Sequence, residues 1–471
     1  MIASCGEKKE GKVAASKPKG SAVGEDVTFL NDTFTVLCRE DTSYGKYEYE
    51  ITADEGSTDI VNQAVYQRNR DACDMFGLAE INALAVPGDW RSKDTFINKF
   101  RNSIDAGLGD YDLIMGYQAY MAQGELAQYF YNFNDVPFVN ESLDKEYYYK
   151  DFINEMTIDG QLKYMVGDYS LSYYDHAYVM YFNKSMAEEY ALEDIYSLVK
   201  EGKWTIDKCM EMAKGKWKDN NNNNWSLEDT ADTFGYISDL PNTADALHSH
   251  FDIQPTNKSE GVITFDIDVG KMTSILEKMV AFKESDDTFF FYSTSDMPLD
   301  QVPLDTIFKE GRALFYPATL EKAENFRSMD IDFGIIPYPK WNETQEGYYT
   351  QAQDGYSVAC VPSDAKNLKK SGAVFDVLTQ LSYENVVPAY YDQALKYKLT
   401  RDDASAEMLD IIRSGFKINF GSFYTQSLGC AIHIRELIKN NNTSYASFHE
   451  SKVPAYQTNL ESLMKDFNGS K

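Results

Sequence analysis

The sequence predicts an α/β fold built as two domains, and three observations carry that prediction. Its 471 residues exceed what one hydrophobic core ordinarily holds. Up to about residue 115, short β-type runs alternate with helix-type runs, the succession that gives a parallel sheet flanked by helices. A second set of such elements begins near residue 178, after an aromatic middle with little periodicity.

Taken in order, residues 25–30 (Glu-Asp-Val-Thr-Phe-Leu) and 47–51 read as short strands. Ser57 or Thr58 caps a helix from Asp59 to about Met75, stopped by Gly77. A strand follows at Glu80–Ala85, then a helix near Lys93–Ala106 with Phe96, Phe100 and Ile104 on one face and Gly107 at its end. Asp112–Met115 is the next strand. Residues 129–176, rich in Tyr, Phe, Asp and Asn, predict loops and short helices, a surface suited to lining a cleft. Beyond them come a strand at Tyr178–Phe182 closed by Asn183-Lys184, a helix at Met186–Val199, and another that Thr205 caps, running through Ala213. Asp219–Asn224 is a loop, and Met272, Ile275, Leu276, Met279 and Val280 mark an amphipathic helix. Phe308 to Tyr316 reads as a helix end, Gly311, and a buried strand. Pro337 and Pro339 stop a strand at Asp332–Ile336, Pro362 stops another at Tyr356–Val361, and a helix fills Asn367–Leu381. Helix and loop alternate from there to the end, with no internal repeat.

A formal charge of -29 argues against a nucleic-acid or anionic-membrane surface as partner. No apolar run after the first twenty or so residues is long enough to cross a bilayer. The 34 Tyr, 27 Phe and 5 Trp include many core residues, but Tyr and Trp also stack on sugar rings while hydrogen-bonding at their rims. The composition therefore leans towards a carbohydrate ligand. At the start, Met-Ile-Ala-Ser-Cys5-Gly6 and the Lys/Glu/Gly/Ala/Ser stretch to Gly20 resemble the processing site of a bacterial lipoprotein followed by a polar tether, residues 1–20. Lipid on Cys5 would hold a soluble domain at the outer face of the membrane. The plainer alternative is a flexible leader with a chance cysteine. Cys38, Cys73, Cys209, Cys360 and Cys430 are widely scattered, without metal-ligand spacing. They read mostly as small buried hydrophobes, with room for one disulfide whose pair the sequence does not choose.

Several segments, in this order, carry a resemblance: Gly109-Asp-Tyr-Asp112-Leu-Ile; Tyr178–Phe182 closed by Asn183-Lys184; Gly202-Lys-Trp204-Thr205; Phe308 through Gly311-Arg-Ala-Leu-Phe; and Phe333-Gly-Ile-Ile-Pro337-Tyr-Pro339-Lys340. Together they resemble the extracellular solute-binding proteins of bacterial ABC importers, in the carbohydrate-type branch that includes maltose-binding protein and, within it, a Tyr- and Asp-rich lipoprotein group of the Firmicutes. The resemblance runs from about residue 25 to the end. It implies a type II periplasmic-binding-protein-like fold, with two interleaved α/β lobes joined by a multi-strand hinge. The first lobe would be about 21–177 with 356–386, the second about 178–355 with 387–471. It further implies a monomer without a cofactor or metal that closes on a sugar, an oligosaccharide by preference, and is recognised by a membrane permease.

Candidate ligand contacts lie in loops at the carboxyl ends of strands. Tyr117 and Gln118 follow the Asp112 strand, whereas Asp112 itself is as suited to capping. Trp90 follows Pro87-Gly-Asp89, where an exposed indole is costly without a purpose. Asp168 and Tyr174 precede the strand at 178, and their alternative role is a hydrogen-bond network between lobes. Tyr316 and Thr319 stand where relatives in the family carry a sugar-stacking tryptophan, so that here a tyrosine would take its place. Asp354 and Tyr356 would supply a carboxylate and an aromatic lid. Trp341 reads as a surface cap and Trp204 as core. The Asn-rich loop from Asp219 departs from a calcium loop at Asn224 and Thr230. His248 and His250 lack a third ligand nearby and read as a surface turn. A glycan-cleaving enzyme is the chief rival reading, although no segment singles out a pair of carboxylates and no nucleophile elbow, HExxH or P-loop occurs. A surface adhesin or sensor is the other.

Overall fold

The computed structural model describes residues 15–40, 48–220, 232–291, 304–326, 329–391 and 403–467. Cys5 and most of the Asn-rich loop therefore lie outside the described residues. In chain order the strands are β1 (Thr33–Arg39), β2 (Glu80–Val86), β3 (Leu113–Tyr117), β4 (Tyr178–Asn183), β5 (Phe234–Asp239), β6 (Asn257–Ser259), β7 (Val262–Thr264), β8 (Thr288–Phe291), β9 (Ala313–Thr319), β10 (Phe333–Ile336) and β11 (Ser357–Cys360).

The described residues form two compact units. Unit 1 takes those up to Tyr173, from Asp354 to Tyr391 and from Leu460 to Phe467; unit 2 takes Tyr174–Gln353 and Asp403–Asn459. The chain thus passes between the units four times.

Unit 1 is built on a sheet in the order β11-β3-β1-β2. β1 runs parallel to both neighbours, pairing Val36 with Ala83 and with Leu113. β11 closes the far edge antiparallel, with Ser357 opposite Tyr117. Parallel neighbours need crossover helices, and Ile60–Phe76 and Lys93–Asp105 supply them. The first starts where the Asp59 carboxylate accepts from Asn62 N at 2.9 Å and stops at Gly77, whose φ of 67° suits glycine. The second buries Phe96, Ile97 and Phe100, side chains that each contribute about 1.5–3 kcal/mol on leaving water. The helix Leu368–Leu381, capped by Asn367, packs on Ile60–Phe76.

Unit 2 holds a mixed sheet in the order β10-β4-β9-β5-β8. β4 is antiparallel to β10 and β9, while β5 is parallel to β9 and β8. Thr205 caps Ile206–Ala213, and the stripe of Met272, Ile275, Leu276 and Met279 buries the face of Val269–Lys283. Trp204 is fully buried, its indole N–H donating to Pro337 O at 3.0 Å, as its core reading required. Trp341 is half-buried, its ring 5.4 Å from that of Phe251. No described helix is long and apolar enough to cross a membrane.

Several local expectations need correction. Residues 25–30 form no strand: Phe29 N donates to Phe76 O at 2.7 Å, and Asn31 turns left-handed at φ 57°, so the apolar run packs on a helix end. Part of the 47–51 stretch is a short 3-10 turn, Glu48–Glu50. The first cap is Asp59, while Ser57 Oγ accepts from Asp59 N at 3.2 Å. The helix expected over Met186–Val199 is two, Lys184–Glu189 and Ile195–Lys200, broken where Ala191 takes φ 48°. His248 and His250 do not form a surface turn. Both are buried in Leu247–His250, where burial pushes each imidazole down to about 4. The five described cysteines are buried, with no disulfide among them.

Candidate functional site

The carboxyl ends of β1, β2 and β3 meet the incoming end of β11 in unit 1. Because β1 is followed by β2 on one side and β3 lies on the other, this is the switch point where open α/β sheets offer a crevice. After β2, Asp89 organises the turn, accepting from Arg91 N, Ser92 N and Ser92 Oγ at 2.8–2.9 Å. Burial works against its charge, yet those hydrogen bonds hold its carboxyl below the usual range. Gly88 is required here, because a Cβ would come within 2.8 Å of Arg39 Cγ and 2.9 Å of Phe96 Cδ2. Tyr120 Oη donates to Gly88 O at 2.8 Å.

This turn leaves Trp90 45% exposed, one of few large apolar side chains so placed among the described residues. Its ring meets Tyr117 edge-on at 6.4 Å between centroids, with Lys93 Nζ 4.3 Å from the indole centroid. Tyr117 ends β3 and donates its phenol to Asp354 Oδ1 at 3.3 Å. The Arg39 guanidinium lies 4.8 Å over the Tyr117 ring. Gln118 is buried and donates its backbone N–H to Tyr356 O at 3.0 Å, fixing β3 to the segment that re-enters the unit. Tyr356 is buried edge-on against Tyr173 at 4.9 Å. Tyr173 lies 5.5 Å from Tyr149, whose hydroxyl donates to the buried Asp168 at 2.8 Å. Unit 1 therefore brings Trp90, Tyr117 and Asp354 to one half-exposed platform, with Gln118, Tyr356 and Asp168 buried behind it. Asp112 is structural: it accepts from Thr35 N at 2.9 Å and pairs with Lys370 at 3.2 Å.

The remaining candidates lie in unit 2, in separate surroundings. Tyr174 packs edge-on against Phe416 at 5.8 Å, with the Arg413 guanidinium 5.7 Å from its ring. Tyr316 is 3% exposed among Tyr181, Phe308 and Phe326. Its phenol donates to Asp305 Oδ1 at 2.8 Å, and Lys322 donates to Asp305 Oδ2 at 3.1 Å. Burial, then the negative charges of Asp305 and Asp239, keep that phenol protonated. Thr319 is buried at the end of β9, its hydroxyl 3.3 Å from Glu321 Oε1. Among the described residues no three His, Cys, Asp or Glu side chains gather as a metal site.

Sequence reasoning passed over Arg39 and Glu50, both buried in unit 1. Arg39 carried a faint signal, the first charge after the strand-type run Thr-Phe-Thr-Val-Leu-Cys, with Glu40 and Asp41 directly behind it. Glu50 carried none, since its burial depends on residues far along the chain.

A family model described as bacterial extracellular solute-binding protein matches residues 91–414. No curated protein matches the chain. Among solved structures, the galacto-N-biose-/lacto-N-biose I-binding protein of the ABC transporter from Bifidobacterium longum aligns with TM-score 0.55 and 12% identity, covering 93% of this chain and 98% of that one. A cyclo/maltodextrin-binding protein complexed with maltotetraose gives 0.53 and 12%, covering 94% and 98%. A de novo designed esterase gives 0.56 and 11%, covering 93% and 100%. At such identities the likeness carries the fold and not the chemistry. That fold is the two-lobed α/β fold of periplasmic binding proteins, as the resemblance in the sequence implied.

Proposed function

Because this chain belongs to the bacterial extracellular solute-binding proteins, we propose that its solute is a carbohydrate, an oligosaccharide by preference, captured by hinge closure of two lobes and delivered to the permease of an ABC importer. The family is one of binding proteins, and the chain is not an enzyme. The observation that carries the sugar reading is the platform of unit 1, an exposed Trp90 beside a Tyr117 phenol held on the Asp354 carboxylate. An indole face takes the C–H face of a pyranose, and a carboxylate accepts hydroxyls in charge-assisted bonds. The names of two fold neighbours, one complexed with maltotetraose and one binding galacto-N-biose and lacto-N-biose, point the same way.

In this reading Trp90, Tyr117 and Asp354 touch the sugar, while Gln118, Asp168 and Tyr356 hold them from behind. Tyr174, Tyr316 and Thr319 would play the corresponding supporting part in unit 2. Closure follows only if the ligand binds the closed form better than the open one. Lipid on Cys5 would keep the protein at the outer face of the cytoplasmic membrane, as in the lipoprotein group of the Firmicutes. It would act there as a monomer without a cofactor.

A thermal-shift screen against mono- and oligosaccharides, with peptides and polyamines as controls, tests the proposal. A ligand at a hundred times its Kd stabilises the native state by about 2.7 kcal/mol. A rise with one oligosaccharide series, recovered uncleaved, supports it. A rise with a peptide or polyamine alone would overturn the sugar assignment.

A further inference from the structure

Behind Tyr117 and Asp354 lies a buried polar network to which the sugar reading gives no part. Arg39, 1% exposed at the end of β1, donates Nη2 to Gly355 O at 2.7 Å and to Ser357 Oγ at 3.1 Å. Glu50, also 1% exposed, accepts at Oε1 from Ser172 N at 2.8 Å and Ser172 Oγ at 2.7 Å. Ser357 N donates to Ser172 Oγ at 2.9 Å, which links the two groups. The chain leaves unit 1 after Tyr173 and re-enters it at Asp354. One carboxyl is therefore tied to both segments, and the second segment carries Asp354.

Two guanidinium groups and a phenol stand around Glu50, and a guanidinium does not lose its proton in a protein. Arg39 of β1 lies on one side of Glu50 and Arg68 of Ile60–Phe76 on the other; burial lowers the Arg68 pKa, and Arg68 donates Nη2 to Glu50 O at 2.7 Å and Nη1 to Ser382 Oγ at 3.0 Å. Tyr169, whose ring lies 5.0 Å from the Arg68 guanidinium, keeps its proton because burial raises its pKa. Burial pushes Glu50 up to about 7, against the Ser172 hydrogen bonds and the charge of Arg39. Among these neighbours Glu50 is the group that changes charge through neutrality.

We propose that Glu50 and Arg39 are positioning residues for the ligand platform: the proton on Glu50 sets how firmly Arg39 and the Ser172–Ser357 pair hold Tyr117 and Asp354, so oligosaccharide affinity depends on pH. The inference rests on reading Trp90, Tyr117 and Asp354 as ligand contacts. An ionised Glu50 accepts more strongly from Ser172 and attracts Arg39, so loss of the proton firms the platform and tightens binding.

Calorimetric titration with the oligosaccharide series of the screen, from pH 6 to pH 8, tests this on the wild type and on Glu50→Gln, which keeps the acceptor oxygen and removes the titration. Wild-type affinity should rise with pH, about tenfold for each pKa unit by which the bound form lowers Glu50. The variant should stay flat. A flat wild type, or an equal slope in the variant, would overturn the proposal. A ligand-free readout separates its failure from that of the sugar reading. In protein labelled with 5-fluorotryptophan, the Trp90 resonance, assigned by its loss in Trp90→Phe, should move through neutrality in the wild type and not in Glu50→Gln. If no oligosaccharide binds, the sugar reading fails and the resonance alone decides: a titrating signal sustains the network, and a still one refutes it.

Discussion

The two units bury their titratable groups in opposite senses. Unit 1 hides carboxyls that resist losing a proton. Burial pushes Glu50 and Asp376 up to about 7, the latter despite hydroxyl bonds from Ser142 and Tyr148 at 3.1 and 3.2 Å. Asp112 moves upward for the same reason. Unit 2 hides imidazoles that resist gaining a proton, with His248 and His250 near 4. Its Asp239, pushed by burial up to about 6, runs against them. One kind of scaffold has thus been given interiors that respond to pH in opposite directions, because burial always penalises the charged form and the two units bury different charges.

The bluntest way to break this comparison is to remove the apolar centre of one unit. Trp204 is fully buried, its ring 5.4 Å from that of Phe315. Trp204→Ala should cost about 3–5 kcal/mol, read as a fall in the urea midpoint followed by circular dichroism. An unchanged midpoint would mean that unit 2 does not depend on this centre.

A smaller effect, of about 2 kcal/mol, sharpens the comparison directly. A histidine with a folded pKa below its unfolded value leaves the unfolded chain binding more protons, so stability is lost as pH falls from about 6.5 to about 4. A carboxyl with a raised folded pKa does the reverse, and its contribution is lost as pH rises from about 4 to 7. Trp90 is the only tryptophan of the segments assigned to unit 1, so fluorescence of Trp90→Phe follows unit 2 alone. Its urea midpoint should fall between pH 6.5 and pH 4.5, while the Trp90 signal, taken by difference from the wild type, should move to higher urea. Parallel shifts of the two signals would contradict the assignment of opposite buried charges.

What the sequence revealed follows the same physical divide. Elements set by local chemistry were legible: the Gly77 stop, the Thr205 cap, the stripe from Met272 to Met279 and the strand after Gly311 all appear where expected. Elements set by distant partners were not. Glu-Asp-Val-Thr-Phe-Leu reads as a strand, yet it is claimed by the end of Ile60–Phe76. The break at Ala191 has neither glycine nor proline to announce it. The two histidines read as surface residues because nothing near them in sequence shows the Tyr338 ring, 4.3 Å from His250. At the site, Trp90 stood out as a costly loop indole, whereas the support from Arg39 and Glu50 depends on Ser172 and Ser357, far away in sequence.

The smallest expected effect on stability separates the two best-placed indoles. Trp204 is held on all sides, but Trp90 is half in solvent and is held chiefly by the edge of Tyr117 and the Lys93 ammonium. An exposed cation–π contact is worth about 0.5–1 kcal/mol, so Trp90→Ala should lower stability by no more than about 1 kcal/mol. Its effect on affinity should equal or exceed that cost, a loss of about fivefold or more for the oligosaccharide that stabilises the wild type, since an aromatic contact with a sugar face contributes on the order of 1 kcal/mol or above. Calorimetric titration beside a urea melt measures both. A variant that loses stability heavily and affinity in proportion would make Trp90 a packing residue like Trp204, and would remove from unit 1 the feature on which its ligand platform is argued.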